Sequence, residues 1–307
     1  MILCCGEALI DMLPRESREG EAAFAPYPGG AVFNTAIALG RLGAPAGFFA
    51  GLSTDLFGEM LASALGTSGV GSALCPRSAR PTTLAFVRLV NGQASYAFYD
   101  EGTAGRMLSP EALPAIPAEV DALFFGGISL VSEPCGSAYE ALMLREAPAR
   151  VTMIDPNIRP GFITDAAAYR ARIDRMLGAA DIVKVSDEDL RWILGEGEIE
   201  ALARQLLARG PKVIFVTEGA AGAHAITAQG ARFRPARKVT VADTVGAGDT
   251  FNAGVLTALA EAGALTKDRL AGADAALLDA ALDLGIAAAA VTVSRPGANP
   301  PWRKEIA

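Results

Sequence analysis

The interpretation of this chain depends on one stretch, Asp243-Thr244-Val245-Gly246-Ala247-Gly248-Asp249-Thr250-Phe251-Asn252-Ala253-Gly254. It follows a strand-like segment at 238–241 and opens an Ala-rich apolar segment that we predict to be helical. Small residues at 246–248 allow backbone N–H groups to approach a ligand closely. The start of a helix adds unpaired donors and about half a positive charge. The stretch therefore predicts a site for an anion such as a phosphate group.

Asp249 stands at the predicted start of this helix. One interpretation is an N-cap, because Asp is a preferred capping residue. The other is a general base, which accepts a hydroxyl proton while the amides of Gly246, Ala247 and Gly248 hold a transferred phosphoryl group. The sequence has no Gly-Lys dipeptide, which excludes a Walker A loop, and Phe251 stands where a dinucleotide fingerprint needs its third Gly.

Composition excludes several classes of protein. The 307 residues include 27 Lys and Arg and 34 Asp and Glu, for a net charge of −7. An acidic chain without a Lys/Arg block is a poor nucleic-acid binder. The longest uncharged stretches, 23–40 and 60–76, are broken by Gly, Pro, Ser or Asn, so we expect no membrane partner. The first residues do not resemble a signal peptide, which favours a cytoplasmic location.

Cysteine and histidine usage points away from metal or triad chemistry. Cys4, Cys5, Cys75 and Cys135 form no CxxC pair, so we expect reduced, mostly buried thiols. Adjacent Cys4 and Cys5 would point to opposite faces of a strand. The single histidine, His224, excludes a multi-His zinc site and disfavours a Ser-His-Asp triad.

Strand and helix patterns alternate after about residue 120, which favours a mostly parallel sheet with helices on both faces. The predicted strands are 2–5, 122–125, 151–154, 182–185, 213–217 and 224–227. The predicted helices are 31–42, ended by Gly43, then 169–177, 199–208 and an Ala-rich region from 250 to about 290. Asn91-Gly92 between two strand-like runs predicts a hairpin. We predict one α/β domain, 1–307, with a small β layer from about 11–28 and 82–100.

Two motifs resemble the signatures of the ribokinase-like sugar kinases, the PfkB family. The second signature is matched by 243–254, and the first by Gly29-Gly30-x-x-x-Asn34-x-Ala36 with Leu39-Gly40-Arg41-Leu42-Gly43. They lie in the expected order, and the resemblance covers essentially the whole chain. Segments 6–11, 96–99, 155–160 and 293–301 look most like bacterial fructokinases. The resemblance implies a ribokinase-like fold whose small β-sheet closes as a lid.

The implied reaction is phosphorylation of the C6 hydroxyl of fructose by ATP. Asp249 would be the catalytic base, and the amides of Gly246, Ala247 and Gly248 would form the anion hole. The residues implied on the sugar side are Asp11, Gly29, Gly30, Asn34, Phe98 and Arg159. Those implied on the nucleotide side are Lys184, Ser186, Thr217, Gly219, Gly222 and Gly248.

The resemblance also implies metal ions. The family commonly carries Asn-x-x-Glu, linked to Mg²⁺, and the matching positions here are Ser186 and Asp189. Asp has one methylene fewer than Glu, so a water would bridge the gap, or Glu188 would supply the carboxylate. Asp243 and segment 291–297 match a site for a monovalent cation such as K⁺. Exposed lid strands often pair between subunits in this family, which predicts a homodimer.

Other functions stay open from the sequence. A 2-keto-3-deoxygluconate kinase would need a cation near the acidic sugar, which Arg106 or Arg159 would supply, whereas segment 102–106 favours a fructokinase. Another sugar or nucleoside kinase fits less well. A non-catalytic sensor would be expected to lose Asp249 or the anion turn, and a nicotinamide dehydrogenase would need a glycine fingerprint near the first strand.

Overall fold

The structure, a computed structural model, describes residues 1–90 and 93–306. Its strands, numbered along the chain, are β1 (Ile2–Cys5), β2 (Leu9–Glu16), β3 (Ala22–Gly29), β4 (Ala46–Phe49), β5 (Leu52–Ser53), β6 (Val70–Gly71), β7 (Arg77–Ser78), β8 (Leu84–Val90), β9 (Gln93–Tyr99), β10 (Ala122–Gly126), β11 (Val151–Asp155), β12 (Ile182–Ser186), β13 (Val213–Thr217), β14 (Gly222–Thr227) and β15 (Gly230–Pro235).

The α-helices are α1 (Ala31–Leu42), α2 (Leu56–Thr67), α3 (Cys135–Glu146), α4 (Ala166–Ala179), α5 (Asp187–Leu194), α6 (Ile199–Leu207), α7 (Ala247–Glu261), α8 (Lys267–Ala271) and α9 (Ala275–Val293). Short 3₁₀ helices span Pro110–Ala112, Ile128–Leu130, Pro160–Phe162 and Arg303–Glu305.

The main sheet confirms the predicted, mostly parallel arrangement. Its strand order is β15-β14-β13-β12-β11-β10-β1-β4-β6, and every pair from β13 to β6 is parallel. At the other edge of this described sheet, β14 pairs antiparallel with both β13 and β15. The carboxyl ends of β1, β10, β11, β12 and β13 therefore lie along one edge, where ligands bind in open parallel sheets.

The sheet is buried on both faces. β1 reads Ile-Leu-Cys-Cys and is buried throughout, as expected for a central parallel strand. Cys4 packs on the face covered by α1, α2, α7 and α9, and Cys5 on the face covered by α3, α4 and α6. The four cysteines are free and buried, and burial raises the pKa of the Cys4 and Cys5 thiols. The predictions for these residues are thus confirmed.

A second sheet has the strand order β3-β2-β8-β9. β2 pairs antiparallel with β3 and parallel with β8, and β8 pairs antiparallel with β9. The predicted β layer is therefore present, although the Asn91-Gly92 turn lies outside the described residues. Asp11 pairs with Ala85, which pairs with Phe98, so Asp11 and Phe98 share one face of this sheet.

The last part of the chain is helical but not continuous. The predicted region from 250 to about 290 is divided into α7, α8 and α9. α9 is long and apolar enough to cross a membrane by length and composition, with half of its most apolar window buried. It packs on α7 so closely that a Cβ at Gly254 would come within 2.6 Å of Gly285 Cα. These contacts are those of a core helix.

The predicted strand at 238–241 is wrong. The segment follows the edge strand β15 and has no strand partner in the described structure, and Val239 and Val241 stay 41% and 59% exposed. The chain is held immediately afterwards, where the Ala242 N–H donates to the Val293 carbonyl at 2.8 Å. Alternation of apolar and polar residues gave the pattern of a strand, but this segment pairs with no strand of the described residues.

Candidate active site

Asp249 lies in the first turn of α7 but does not cap it. The N-cap is Gly246, whose φ of +77° is left-handed, and no side chain caps this helix. A Cβ at Gly246 would also lie 2.9 Å from the Ala298 Cβ. Glycine is therefore favoured here both by the left-handed backbone and by the lack of room for a side chain. The capping interpretation of Asp249 is therefore wrong, and its buried carboxyl group makes no hydrogen bond that caps α7.

Two residues of α1 hold Asp249. Asn34 Nδ2 donates to Asp249 Oδ2 at 2.9 Å, and Thr35 Oγ1 donates to the Asp249 carbonyl at 3.2 Å. The starts of the helices that carry the two sequence signatures are thereby joined. Sequence reasoning placed Asn34 on a sugar hydroxyl, whereas here its amide nitrogen orients the predicted base.

The surroundings of Asp249 suit proton transfer near neutral pH. Burial raises the pKa of its carboxyl group to about 7, the Asn34 hydrogen bond lowers it, the Asp155 charge raises it and the Lys184 charge lowers it. A base whose pKa lies near the working pH combines a useful ionised fraction with good proton affinity.

A cation lies beside the predicted anion-binding turn, residues 246–249. Lys184, in β12, is buried, and a Cβ at Gly248 would lie 3.0 Å from its Nζ. Its ammonium donates to Asp155 Oδ2 at 2.9 Å, at the carboxyl end of β11. The Asn252 amide Nδ2 donates to the same oxygen at 2.7 Å. The sequence analysis gave neither Asp155 nor Asn252 a role, because no sequence spacing ties either residue to Lys184.

The predicted sugar-binding glycines lie against two acidic residues, Gly29 against the Asp11 carboxylate and Gly30 against the backbone of Glu7. A Cβ at Gly29 would come within 2.3 Å of Asp11 Oδ2, so a larger residue there would displace the Asp11 carboxylate. Burial raises the pKa of Asp11 to about 6. Glu7, another residue that was missed, follows β1 and accepts from the N–H of Ala31 at 2.9 Å, which fixes the start of α1 just after Gly30.

The second sheet contacts the body through aromatic rings. Phe98, in β9, packs edge-to-face on Phe162 with ring centroids 4.6 Å apart. Phe162 ends the short helix that follows Arg159. The Arg159 side chain is exposed and donates to the Ile158 carbonyl at 3.0 Å. It therefore lies close in sequence to the Phe98–Phe162 contact, and its hydrogen bond goes to the backbone and not to another predicted sugar-binding residue.

The predicted nucleotide residues lie along the carboxyl edge of the sheet. Ser186 ends β12 and caps α5, accepting from the Asp189 N–H at 2.9 Å. Thr217 ends β13, and the following turn is closed by the Glu218 N–H, which donates to the Gly222 carbonyl at 2.9 Å. Gly219 lies within this turn. The loop is thus placed two strands along from Asp155.

The pfkB family of carbohydrate kinases matches residues 1–305. The chain belongs to this family. It is an ATP-dependent sugar kinase with a ribokinase-like fold, as the two signatures implied, and not a nicotinamide dehydrogenase.

Relatives of this kinase are named for related activities. A fructokinase from Rhizobium leguminosarum bv. trifolii is 56% identical over 274 residues, which cover 89% of this chain and 84% of the relative. A fructokinase from Xylella fastidiosa, solved with bound ATP, superposes with a TM-score of 0.86 at 29% identity, covering 97% of this chain and 93% of the other.

A kinase with a different acceptor also has this fold. Aminoimidazole riboside kinase from Salmonella enterica, solved with aminoimidazole riboside and an ATP analogue, superposes with a TM-score of 0.82 at 26% identity, covering 99% of this chain and 97% of that one. The fold therefore serves more than one sugar-containing acceptor.

Two predicted side chains of this kinase are engaged within the protein. Arg106 forms an ion pair with Asp100 at 2.8 Å. Asp243 Oδ1 accepts from the Val245 N–H at 3.0 Å, and its Oδ2 accepts from the Gly297 N–H at 2.9 Å. Asp243 therefore joins the start of the anion-binding stretch to the segment after α9.

Proposed function

We propose that this kinase transfers the γ-phosphoryl group of ATP to the C6 hydroxyl of fructose. The observation that carries the mechanism is the position of Asp249. Its buried carboxyl group lies in the first turn of α7 and accepts a hydrogen bond from Asn34 of α1. The choice of fructose is supported by the relative that is 56% identical and is named a fructokinase.

In the proposed reaction, Asp249 accepts the C6 hydroxyl proton as the oxygen attacks the γ-phosphorus. The bond from that phosphorus to the β–γ bridging oxygen breaks, and ADP leaves. The amides of Gly246, Ala247 and Gly248 at the start of α7 would stabilise charge on the transferring group. The Ala247 N–H would then leave the Thr244 carbonyl, to which it donates at 3.3 Å. The Lys184 ammonium beside Gly248 would add positive charge there.

The sugar would lie between the start of α1 and the second sheet. Asp11 would accept hydrogen bonds from adjacent hydroxyls, and Gly29 and Gly30 would let the ring approach the backbone. Phe98 would cover the sugar and exclude water. Asn34 would contact the acceptor hydroxyl region while it holds Asp249, and Arg159 would approach from the loop after β11.

ATP would lie along the carboxyl edge of the sheet. We infer that the turn with Thr217, Gly219 and Gly222 contacts the nucleotide. Ser186, together with Lys184, would face the phosphate end.

Mg²⁺ would accompany the phosphates of ATP. Among residues 1–90 and 93–306, no group of three or more His, Cys, Asp or Glu side chains is placed to hold a metal ion. Kinases hold Mg²⁺ by one or two carboxylates together with substrate phosphates and water. The Asp189 carboxylate lies buried in the first turn of α5 beside Ser186, so it fits the protein carboxylate of such a partial site. Bound Mg²⁺ would neutralise charge on the β- and γ-phosphates.

For a monovalent cation such as K⁺, we infer a role for Asp243 in holding the loop. Both of its carboxylate oxygens accept backbone N–H groups, so carbonyl oxygens of 243–246 and 291–297 would supply ligands. Activity compared in potassium and tetramethylammonium chloride at equal ionic strength tests this.

We also infer that residues 1–307 act as one kinase unit, with 11–28 and 82–100 as its lid. A homodimer through the outer lid face is supported by Phe24 and Tyr99, which stay exposed although each packs on Phe86. Sedimentation of the wild type and of a Phe24→Ser variant tests the dimer.

We place the enzyme in the cytoplasm, where ATP is available.

The substrate test is ADP release by purified protein with Mg-ATP, offered fructose, 2-keto-3-deoxygluconate and aminoimidazole riboside in parallel. Fructose is expected to give the highest kcat/KM. The keto-acid is the second candidate, but the Arg106–Asp100 ion pair argues against a free cation for its carboxylate. Higher kcat/KM with either competitor would overturn the assignment to fructose while leaving the kinase chemistry intact.

A further inference from the structure

A buried polar cluster adjoins the anion-binding turn. It consists of Asp155, Lys184 and Asn252, which are 3%, 4% and 1% exposed. One oxygen, Asp155 Oδ2, accepts from both Lys184 Nζ at 2.9 Å and Asn252 Nδ2 at 2.7 Å. The other oxygen, Oδ1, accepts from the Asn157 N–H at 3.2 Å. The carboxylate is thus fixed from both sides.

Asn252 is placed to influence the reaction centre without touching it. It lies three residues after Asp249 and four after Gly248 on α7, so the three residues share one side of the helix. Its target oxygen on Asp155 holds the ammonium of Lys184, which lies against Gly248. Asn252 is therefore connected to the anion-binding turn through Asp155 and Lys184.

The Asn252 amide leaves one atom unsatisfied. Its Oδ1 is buried without a hydrogen-bond partner, one of three such side-chain atoms in the described residues. Turning the amide would bring Oδ1 against the Asp155 carboxylate, where two acceptors would repel each other. A leucine of similar size would avoid the unsatisfied atom, so packing stability alone does not account for an amide here.

We propose that Asn252 is a positioning residue that acts through Asp155 to hold the Lys184 ammonium against the transferring phosphoryl group. This inference rests on the proposed function and deepens it. Besides Asp155, the charges of Asp189 and Asp249 also act on Lys184. Without the Asn252 bond, Asp155 Oδ2 loses one of its two donors, so it holds the Lys184 ammonium less firmly and Lys184 can shift toward Asp189 or Asp249.

The state of Lys184 is consistent with this role. Burial lowers the pKa of its ammonium, but the charge of Asp155 and the hydrogen bond to it outweigh burial and raise that pKa. The cation therefore stays charged at the pH where a kinase works, and its position decides its effect on the phosphoryl group.

The first test is Asn252→Leu, with Thr257→Val as a matched control. Thr257 lies on the same helix, is 1% exposed and also has an unpartnered buried side-chain oxygen, but is not bonded to Asp155. We expect Asn252→Leu to lower kcat about tenfold, with the KM for fructose changed less than about twofold, since a misplaced group mainly affects the reaction step. Thr257→Val should leave kcat within about twofold.

The decisive test is a double-mutant cycle with Lys184→Met. If Asn252 acts through Lys184, Asn252→Leu should change kcat less than about twofold once Lys184 is already replaced. An undiminished tenfold loss in the Lys184→Met background would overturn the proposal, as would an equal loss in Thr257→Val. If Asn252→Leu does not fold, as judged by circular dichroism, Asn252→Ser replaces it in the same cycle.

Failure of this inference is distinguishable from failure of the proposed function. The cycle requires wild-type activity on fructose, so a wild type inactive on every acceptor would refute the proposed function. An active wild type with additive mutants would refute only the role of Asn252.

Discussion

Asn34 Nδ2 and Asp249 Oδ2 are joined by a 2.9 Å hydrogen bond, although the residues are 215 positions apart in the chain. Asn34 lies in α1, which begins within the first signature, and Asp249 lies in α7, which begins within the second. Burial opposes ionisation of Asp249, and the Asn34 bond favours it. The pair therefore links the predicted sugar site to the predicted base.

Replacing Asn34 with Leu should shift the pH dependence of the reaction. The bond from Asn34 lowers the Asp249 pKa, so its loss should raise that pKa and move the acidic limb of kcat/KM for fructose to higher pH. Profiles from pH 5 to 9 measure the shift. Thr35→Val is the matched control, because it removes a bond to the Asp249 carbonyl and leaves the carboxylate untouched. Equal shifts in both variants would contradict the role of Asn34.

Wild-type activity should rise with pH through the Asp249 pKa of about 7. Only the ionised carboxylate accepts a proton, so kcat/KM should fall about tenfold for each unit of pH below this value. A flat profile between pH 5 and 7 would exclude Asp249 as a base with this pKa.

Stability should respond to pH in the opposite direction. The folded pKa of Asp249 lies above the unfolded value, so the folded state holds a proton that the unfolded state lacks between about pH 4 and 7. The contribution of Asp249 to stability is thus present at low pH and lost as pH rises to 7. The melting temperature of Asp249→Asn minus that of the wild type should therefore be larger at pH 8 than at pH 5. Thermal unfolding of both proteins at both pH values measures this difference. An unchanged difference would contradict the raised pKa.

Phe162→Ala should weaken fructose binding through the lid. An edge-to-face pair contributes about 0.5–1.5 kcal/mol, so losing the contact with Phe98 should raise the KM for fructose about two- to tenfold. The KM for ATP should stay unchanged. Trp192→Ala is the control, since Trp192 forms an edge-to-face pair with Tyr169 outside the second sheet. A similar fructose KM in both variants would exclude a specific role for the Phe98–Phe162 contact.

Much of the fold could be predicted because central strands here are continuous apolar runs. The strand at 213–217 and the helix at 31–42 have the predicted bounds, the latter because Gly30 and Gly43 mark its ends. The segment at 238–241 shows the limit, since an alternating pattern does not reveal whether a segment will pair with another strand. The β2 and β3 strands, which are interrupted by Pro14, Pro26 and Pro28, were predicted only as part of a β layer.

The candidate site was predictable only where local spacing carries the chemistry. Gly246, Gly248 and Asp249 lie in one turn, so their pattern is visible in the sequence. Asp155 and Asn252 meet only after the sheet and α7 have packed, 97 positions apart. No single stretch records such a contact, so a role for Asn252 could be inferred only from the structure.

The central claim is that Asp249 takes the proton from fructose during phosphoryl transfer. Its most direct test is the kcat of Asp249→Asn with fructose and Mg-ATP, measured by ADP release beside the wild type. The expected loss is at least about 10²–10⁴, the usual range for a positioned base, in a protein whose circular dichroism is unchanged. A folded Asp249→Asn protein with near-normal turnover would contradict the account.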